Sequence, residues 1–287
     1  MPFERATARH PLAVRRVHVH AVRDLTPTVR RVTFRDGSPD LPPLATMVAD
    51  GPEDHVKVFF PDPVTGELHA PSITADGGLQ RAVGGVSISR DYTVRSLRPG
   101  DEVGDDGVET PGYVLDVDVL LHGDEGPASA WAARASAGDE LAIAGPRGSV
   151  LAPDGIARLV VVADETALPA AARWVAAVGP DVPVTAILDV ADESVEPYGA
   201  ELGHASIEWL YREDGPGQVL DAVRSLGPLA PEDVVFAAGE ATTLVPVRAY
   251  LRHEAGARAD QLSVSGYWKR GVVNLDHHEP LDPSDPD

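Results

Sequence analysis

The 287-residue chain contains no cysteine. Disulfides, thiolate metal sites, cysteine-ligated iron–sulfur clusters and cysteine nucleophiles are thereby excluded. Lysine is nearly absent too: Lys57 and Lys269 are the only lysines among 24 cationic residues, set against 45 carboxylates for a formal charge of −21. With no surplus of cations to release phosphate counterions, general nucleic-acid binding is excluded. An anionic membrane surface would repel such a chain. No apolar stretch reaches the roughly 18 residues of a membrane-spanning helix. The start, MPFERATARHPLAVRR, lacks the apolar core of a secretory signal, so a cytoplasmic protein is the expectation. What is present is globular: 43% hydrophobic and 24% charged residues, in a length that suits one large domain or two ordinary ones. Any anionic ligand would have to be drawn in by a local basic site.

The first half reads as β. Segments 14–23 and 28–35 alternate around Val14, Val17, Val19, Val32 and Phe34, with a DLTPT turn between them. Segments 54–61, 87–97, 113–123 and 139–148 continue the series, which makes six short strands with Pro- and Gly-rich connections, the pattern of a small antiparallel barrel. One helix is predicted over 126–138, with Pro127 in its first turn and Gly138 as its cap. Residues 149–157 read as a linker. The character then changes. RLVVVAD at 158–164 is a continuous apolar run, the mark of a parallel strand buried on both faces. Helices over 166–179, 217–227 and 242–256 alternate with strands over 182–190, 206–212, 234–239 and 263–268, which implies an open parallel sheet. Ligands of such sheets bind at the carboxyl ends of the strands, here Asp164-Glu165-Thr166, Gly239-Glu240 and Trp268-Lys269. The end of the chain, 277–287, is acidic and Pro-rich and reads as disordered. Cations concentrate early: eight arginines and two acids fall within residues 1–35.

Two motifs carry chemistry. In Arg90-Asp91-Tyr92-Thr93-Val94-Arg95, a strand places 90, 92 and 94 on one face. Arg90 suits a phosphate, Tyr92 a ring, and Thr93 a ring edge. The alternative is a solvated barrel strand. In His122-Gly123-Asp124-Glu125-Gly126-Pro127-Ala128-Ser129-Ala130-Trp131, a strand ends in a glycine turn that opens a helix. Backbone N–H groups there suit a pyrophosphate, and small side chains allow close approach. An ordinary Gly-Pro helix start is the plainer account. His18 and His20 share a strand face and read as barrel surface, and His277-His278 reads as part of the loose tail. Gly-x-Ser-x-Gly, His-Glu-x-x-His and a phosphate-binding Gly-rich Lys loop are all absent.

Together with Gly-Pro-Arg-Gly-Ser at 145–149, Asp164-Glu165-Thr166-Ala167-Leu168-Pro169-Ala170, Ala238-Gly239-Glu240 and Gly266-Tyr267-Trp268-Lys269-Arg270-Gly271, these motifs resemble the siderophore-interacting protein family. That family comprises FAD-dependent ferric-siderophore reductases of the ferredoxin-reductase-like superfamily. The resemblance runs over roughly residues 12–275. It implies a six-stranded antiparallel flavin-binding β-barrel over 10–149 and a Rossmann-like NAD(P)H-binding parallel sheet flanked by helices over 158–276. Arg90, Asp91, Tyr92 and Thr93 would hold the flavin. His122, Gly126, Ala128, Ser129 and Trp131 would take its pyrophosphate and adenosine side. Asp164, Glu165, Thr166, Ala167, Gly239 and Glu240 would line the nicotinamide entrance, and Arg212 is a candidate for the 2′-phosphate of NADPH, with a surface ion pair as the alternative.

A ferric catecholate is trianionic, and Lys57, Arg147, Lys269 and Arg270 would form the basic site that captures it. For Arg147 a structural ion pair is the competing account. The family usually has glycine where this chain has Ala163, and 104–112 reads as an acidic insertion. The activity implied is NADPH- or NADH-dependent reduction of chelated Fe(III) to Fe(II), by a monomer, with the flavin doing the chemistry and no catalytic side chain identified. Two alternatives stay open: an electron-transfer reductase of the same fold serving a ferredoxin-like partner, and a non-enzymatic chelate-binding module.

Overall fold

The computed structural model describes residues 3–74, 76, 78–82, 84–100, 112–123, 126–215, 217–273, 275 and 280–285. The chain forms two compact units, residues 7–150, and residues 1–6 together with 151–287.

The 7–150 unit is built on antiparallel strands: β1 (Thr7–Arg9), β2 (Val14–Asp24), β3 (Val29–Asp36), β4 (His55–Phe60), β5 (Ser72–Ile73), β6 (Leu79–Gln80), β7 (Ile88–Thr93), β8 (Ser96–Pro99), β9 (Tyr113–Leu120), β10 (Glu140–Ala144) and β11 (Gly148–Val150). Seven of them form one sheet in the order β7-β4-β10-β2-β3-β9-β8. Alternation predicts a single strand over 87–97. The chain instead bends at Val94 and Arg95, so that β7 pairs with β4 at one edge and β8 with β9 at the other. The bend itself is bonded to both sides, Val94 N to Asp54 O at 2.8 Å and Arg95 N to Asp116 O at 2.9 Å. One strand thus closes the sheet on itself, and six predicted strands become seven segments. Val17, Val19, Val32, Phe34, Val56, Val58, Phe60, Val117 and Ile143 fill the interior, two residues apart along each strand. The opposite face is polar but covered. Asp118 accepts from Arg31 at 2.7 and 2.8 Å, and Asp116 accepts from Thr33 and Ser96 at 2.6 Å each.

Two sequence expectations need correcting here. Helix α1 (Pro127–Ala132) has six residues, far short of 126–138. The Asp139 carboxylate takes the Ser136 N–H at 2.8 Å and Gly138 adopts φ +95°, so the chain turns before a third helical turn can form. Residues 149 and 150 are not linker but the end of β11, paired with β1.

The second unit holds β12 (Arg158–Asp164), α2 (Leu168–Val178), β13 (Val184–Val190), β14 (Ser206–Tyr211), α3 (Gln218–Ser225), β15 (Asp233–Glu240), α4 (Ala241–His253) and β16 (Leu262–Trp268). Its five strands are parallel, in the order β14-β13-β12-β15-β16. The order reverses between β12 and β15, which makes the carboxyl ends of these two strands the switch point where ligands of such sheets bind. Val160, Val162, Ile187, Val235 and Ala237 pack on one side against Val219, Val223, Leu244 and Val247 of α3 and α4. On the other side Trp174 of α2 stacks on Phe236 at 5.8 Å.

Three features of this unit escape the sequence patterns. A 3₁₀ segment over Glu193–Leu202 buries Val195, Tyr198 and Leu202 behind an Asp192 cap. The amino-terminal arm belongs to this unit: Phe3 N donates to Asp260, Arg5 lies 5.1 Å over the Trp174 ring, and Leu151 N donates to Ala6 O at 2.9 Å. The segment read as a disordered tail is also engaged in its described part, 280–285. Leu281 packs on the core, and Asp285 accepts from Arg248 at 3.0 Å and pairs with Arg252 at 3.2 Å. Positive side chains on α4 hold what composition alone reads as loose. Among the described residues no helix is long and apolar enough to cross a membrane. His277-His278 and residues 104–111 of the acidic insertion lie outside the described residues.

Candidate functional site

In the 7–150 unit, strand register sets the flavin motif. Val56 faces Tyr92, Val58 faces Arg90 and Phe60 faces Ile88, so Arg90 and Tyr92 lie on the interior side of the sheet. The Tyr92 ring meets Phe60 edge-on at 6.3 Å. Phe60 meets Trp131 at 5.5 Å, and Trp131 stacks on Phe34 at 6.5 Å. This aromatic row joins the two sequence motifs that carry Tyr92 and Trp131. Burial pushes the Tyr92 phenol well above its ordinary range, and the nearby Arg90 charge pulls the other way. Arg90 is half-buried, with Nη1 donating to Ser89 O at 2.7 Å. Thr93 is buried on the other face.

Asp91 does not join this group. It points to the opposite face, where its Oδ2 pairs with Lys57 Nζ at 2.8 Å. Strand parity was enough to separate it from Arg90 and Tyr92.

Ser129 is buried, and its hydroxyl is committed. It accepts from His122 N at 3.0 Å and donates to Gly123 O at 2.8 Å. It therefore locks the glycine turn, with Gly123 at φ +85°. Ala128 is buried beside it, and the six-residue α1 has too few aligned peptides for a strong dipole. Gly126 sits extended just before α1, and His122 is exposed. An open cavity of about 520 Å³ adjoins α1, lined by Arg16, Leu68, Trp131, Arg134 and Glu140. Trp131 is the one member of the aromatic row that lines this cavity, whose size is within the usual range for small-molecule sites, and the row with the half-buried Arg90 suits a flavin's ring and phosphate.

In the second unit the switch point is a knot of carboxylates. Asp164 ends β12 and accepts four hydrogen bonds. Thr166 N and Oγ1 donate to Oδ1 at 2.9 and 2.5 Å, while Glu240 N and Trp268 Nε1 donate to Oδ2 at 2.9 and 2.7 Å. Burial pushes its carboxyl up to about 6, against the pull of the Thr166 and Trp268 hydrogen bonds. Gly239 is held at φ +148°, and a Cβ there would lie 2.6 Å from Asp164 Oδ2. Only glycine suits both the backbone and the neighbour. Glu240 caps α4, accepting from Thr243 N at 2.8 Å and from Arg270 N at 3.2 Å. Burial pushes its carboxyl up, but these bonds and that of Thr242 outweigh it and leave the group below its ordinary value. Ala163, Ala167 and Ala238 are small and buried around this point.

Arg212 is spoken for. It lies on a turn after β14, with Nη2 on Glu165 Oε1 at 2.6 Å and Nη1 on Asp189 O. Glu165 also takes Ala191 N at 2.7 Å. Of the two sequence readings of Arg212, the ion pair is present in the structure, and the side chain stays 34% exposed. Lys269, Arg270 and Arg147 are exposed and form no ion pair with any described residue. The sequence placed Trp268 at a ligand-binding strand end and in a matched motif but gave it no role; its hydrogen bond to Asp164 supplies one.

Residues 18–150 match the family described as the siderophore-interacting FAD-binding domain, and residues 156–271 match the family described as siderophore-interacting protein. An NADPH-dependent ferric-chelate reductase of Escherichia coli is 35% identical over 185 residues, 62% of this chain and 65% of that protein's length. The ferric vibriobactin reductase ViuB of Vibrio cholerae is 28% identical over 240 residues, 79% of this chain and 82% of its own. The crystal structure of a siderophore utilization protein from T. fusca superposes with a TM-score of 0.79 at 36% identity, covering 96% of this chain and all of the other.

Proposed function

The chain belongs to the siderophore-interacting protein family, and on that premise we propose that it is a ferric-siderophore reductase that uses FAD and NADPH. The observation that carries the reading is the pairing of one barrel that presents Arg90, Tyr92 and Trp131 with one parallel sheet whose switch point is lined by Ala163, Ala167, Ala238 and Gly239. Bound flavin and nicotinamide would supply hydride acceptance and one-electron delivery to Fe(III). The side chains orient and screen. Arg90 offsets phosphate charge, and Tyr92 and Trp131 offer ring faces. Against the chain's −21, Lys57 and Arg147 in the barrel unit and Lys269 and Arg270 in the α/β unit each supply local positive charge of the kind that a trianionic chelate requires.

Reduction of the flavin-loaded protein by NADPH, followed by reoxidation with a ferric catecholate, tests this directly. Bleaching of the flavin band by NADPH and its return with release of Fe(II) is the expected result. A protein that retains no flavin, or whose reduced flavin is not reoxidised by any ferric chelate, would refute the proposal.

A further inference from the structure

We propose that Asp164 is a positioning residue that acts through Trp268: its carboxylate fixes the indole at the end of β16 and thereby holds the cation-bearing turn Lys269–Arg270 at the switch point. The inference rests on the reductase reading above.

A carboxylate offers about four acceptor sites. All four of Asp164 are taken, two on each oxygen, by Thr166 N, Thr166 Oγ1, Glu240 N and Trp268 Nε1. Asp164 is 5% exposed. With its acceptor capacity filled and its surface covered, it has nothing left to offer a ligand. What it does have is a bond to each strand end around it, since Glu240 closes β15 and Trp268 closes β16.

The β15–β16 ladder is built to deliver that indole. Gly239 faces Gly266, but Glu240 faces Trp268, so Tyr267 is an extra residue in β16. A bulge of this kind re-aims the side chain that follows it. Immediately after Trp268 the chain turns back, with Val272 N on Lys269 O at 3.0 Å and Gly271 at φ +77°. That turn is tied to the sheet a second time by Arg270 N on Glu240 Oε1 at 3.2 Å. Glu240 is in turn bonded to Asp164 through its own N–H, so both anchors of the turn converge on one carboxylate. Lys269 and Arg270 stay exposed and form no ion pair with a described residue. The result is two free cations on a short turn whose position depends on Asp164.

A double-mutant cycle of Asp164→Asn and Trp268→Phe, measured on the flavin-loaded protein with an iron(III) tris-catecholate, tests the inference. The asparagine presents N–H groups where two donors already point. The phenylalanine keeps an aromatic ring but removes the N–H donor together with the indole's second ring. Each single variant is expected to raise KM for the chelate about 5- to 10-fold with little change in kcat, and the double variant to be no worse than the weaker single. Hydrogen exchange of the Trp268 indole N–H supplies a readout without turnover: slow in the parent, at least tenfold faster in Asp164→Asn. Additive effects on KM, a loss confined to kcat, or an indole N–H that exchanges equally fast in both proteins would overturn the inference. If Asp164→Asn fails to fold, the milder Trp268→Phe alone still decides it through its KM-against-kcat split. If the parent protein reduces no ferric chelate, the reductase reading falls, and the indole exchange together with chelate affinity still decides the role of Asp164.

Discussion

Lys57 Nζ and Asp91 Oδ2 lie 2.8 Å apart, directly opposite each other on β4 and β7. One of the chain's two lysines is therefore partly neutralised by its neighbour in the ladder. Replacing Asp91 with Asn should release a full positive charge toward an anionic chelate. KM for a ferric catecholate is expected to fall severalfold, and Lys57→Ala to raise it by a similar factor. Exposed pairs contribute only about 0–1 kcal/mol, so thermal stability should hardly move in either variant. Equal KM values in all three proteins would remove Lys57 from the substrate site.

Gly239→Ala places a methyl 2.6 Å from Asp164 Oδ2 and demands φ +148° of an alanine. Strain of this type costs about 1–3 kcal/mol. Denaturant unfolding should report a loss in that range, and reduction of bound flavin by NADPH should slow at least tenfold. Reduction at the parent rate would show that no nicotinamide approaches this backbone.

The stability of the parent protein should decline between about pH 4 and pH 6 through Asp164. Its carboxyl is raised to about 6 by burial, above its unfolded value. The folded state therefore holds the proton more tightly, and the stability this supplies is complete below about pH 4 and is lost as pH rises through 6. A shift of this size corresponds to about 3 kcal/mol at most. Unfolding midpoints of the parent and Asp164→Asn, taken from pH 4 to pH 7, should converge in slope only above pH 6. Parallel curves throughout would place the native carboxyl near its ordinary value.

Arg212→Ala leaves the buried Glu165 without its guanidinium partner. A stability loss of about 1–3 kcal/mol is expected, below the range for fully buried pairs because the Arg212 side chain is 34% exposed. The ratio of kcat/KM for NADPH over NADH should stay within twofold of the parent. A tenfold fall in that ratio would return Arg212 to the 2′-phosphate.

Much of this architecture is legible in the sequence, for identifiable reasons. RLVVVAD announces a central strand because a strand buried on both faces must be apolar throughout. Alternating Val and Phe in residues 14–35 announce a barrel wall. Where the reading fails, the deciding contact is remote or the pattern is blind to it. Nothing local marks the bend at Val94-Arg95, since alternation simply continues through it. The commitment of the Ser129 hydroxyl to its own turn, the hold of Glu165 on Arg212, and the bond from Trp268 to Asp164 across 104 residues are facts of tertiary structure. The short α1 follows from an Asp139 side chain that composition cannot weigh.

The arm of residues 3–6 gives the molecule an unusual order of assembly. The α/β unit is written in two pieces of chain, with the whole barrel spliced between them. During synthesis the arm emerges before the barrel, yet Trp174 and Asp260, which receive it, emerge long after the barrel is complete. The barrel can finish folding from a continuous stretch, whereas the α/β unit must close a loop of more than 140 residues to finish. A fragment beginning at residue 151 would lack the contacts of Phe3, Arg5 and Ala6, and a circular permutation that moves the arm to the far end would make that unit contiguous.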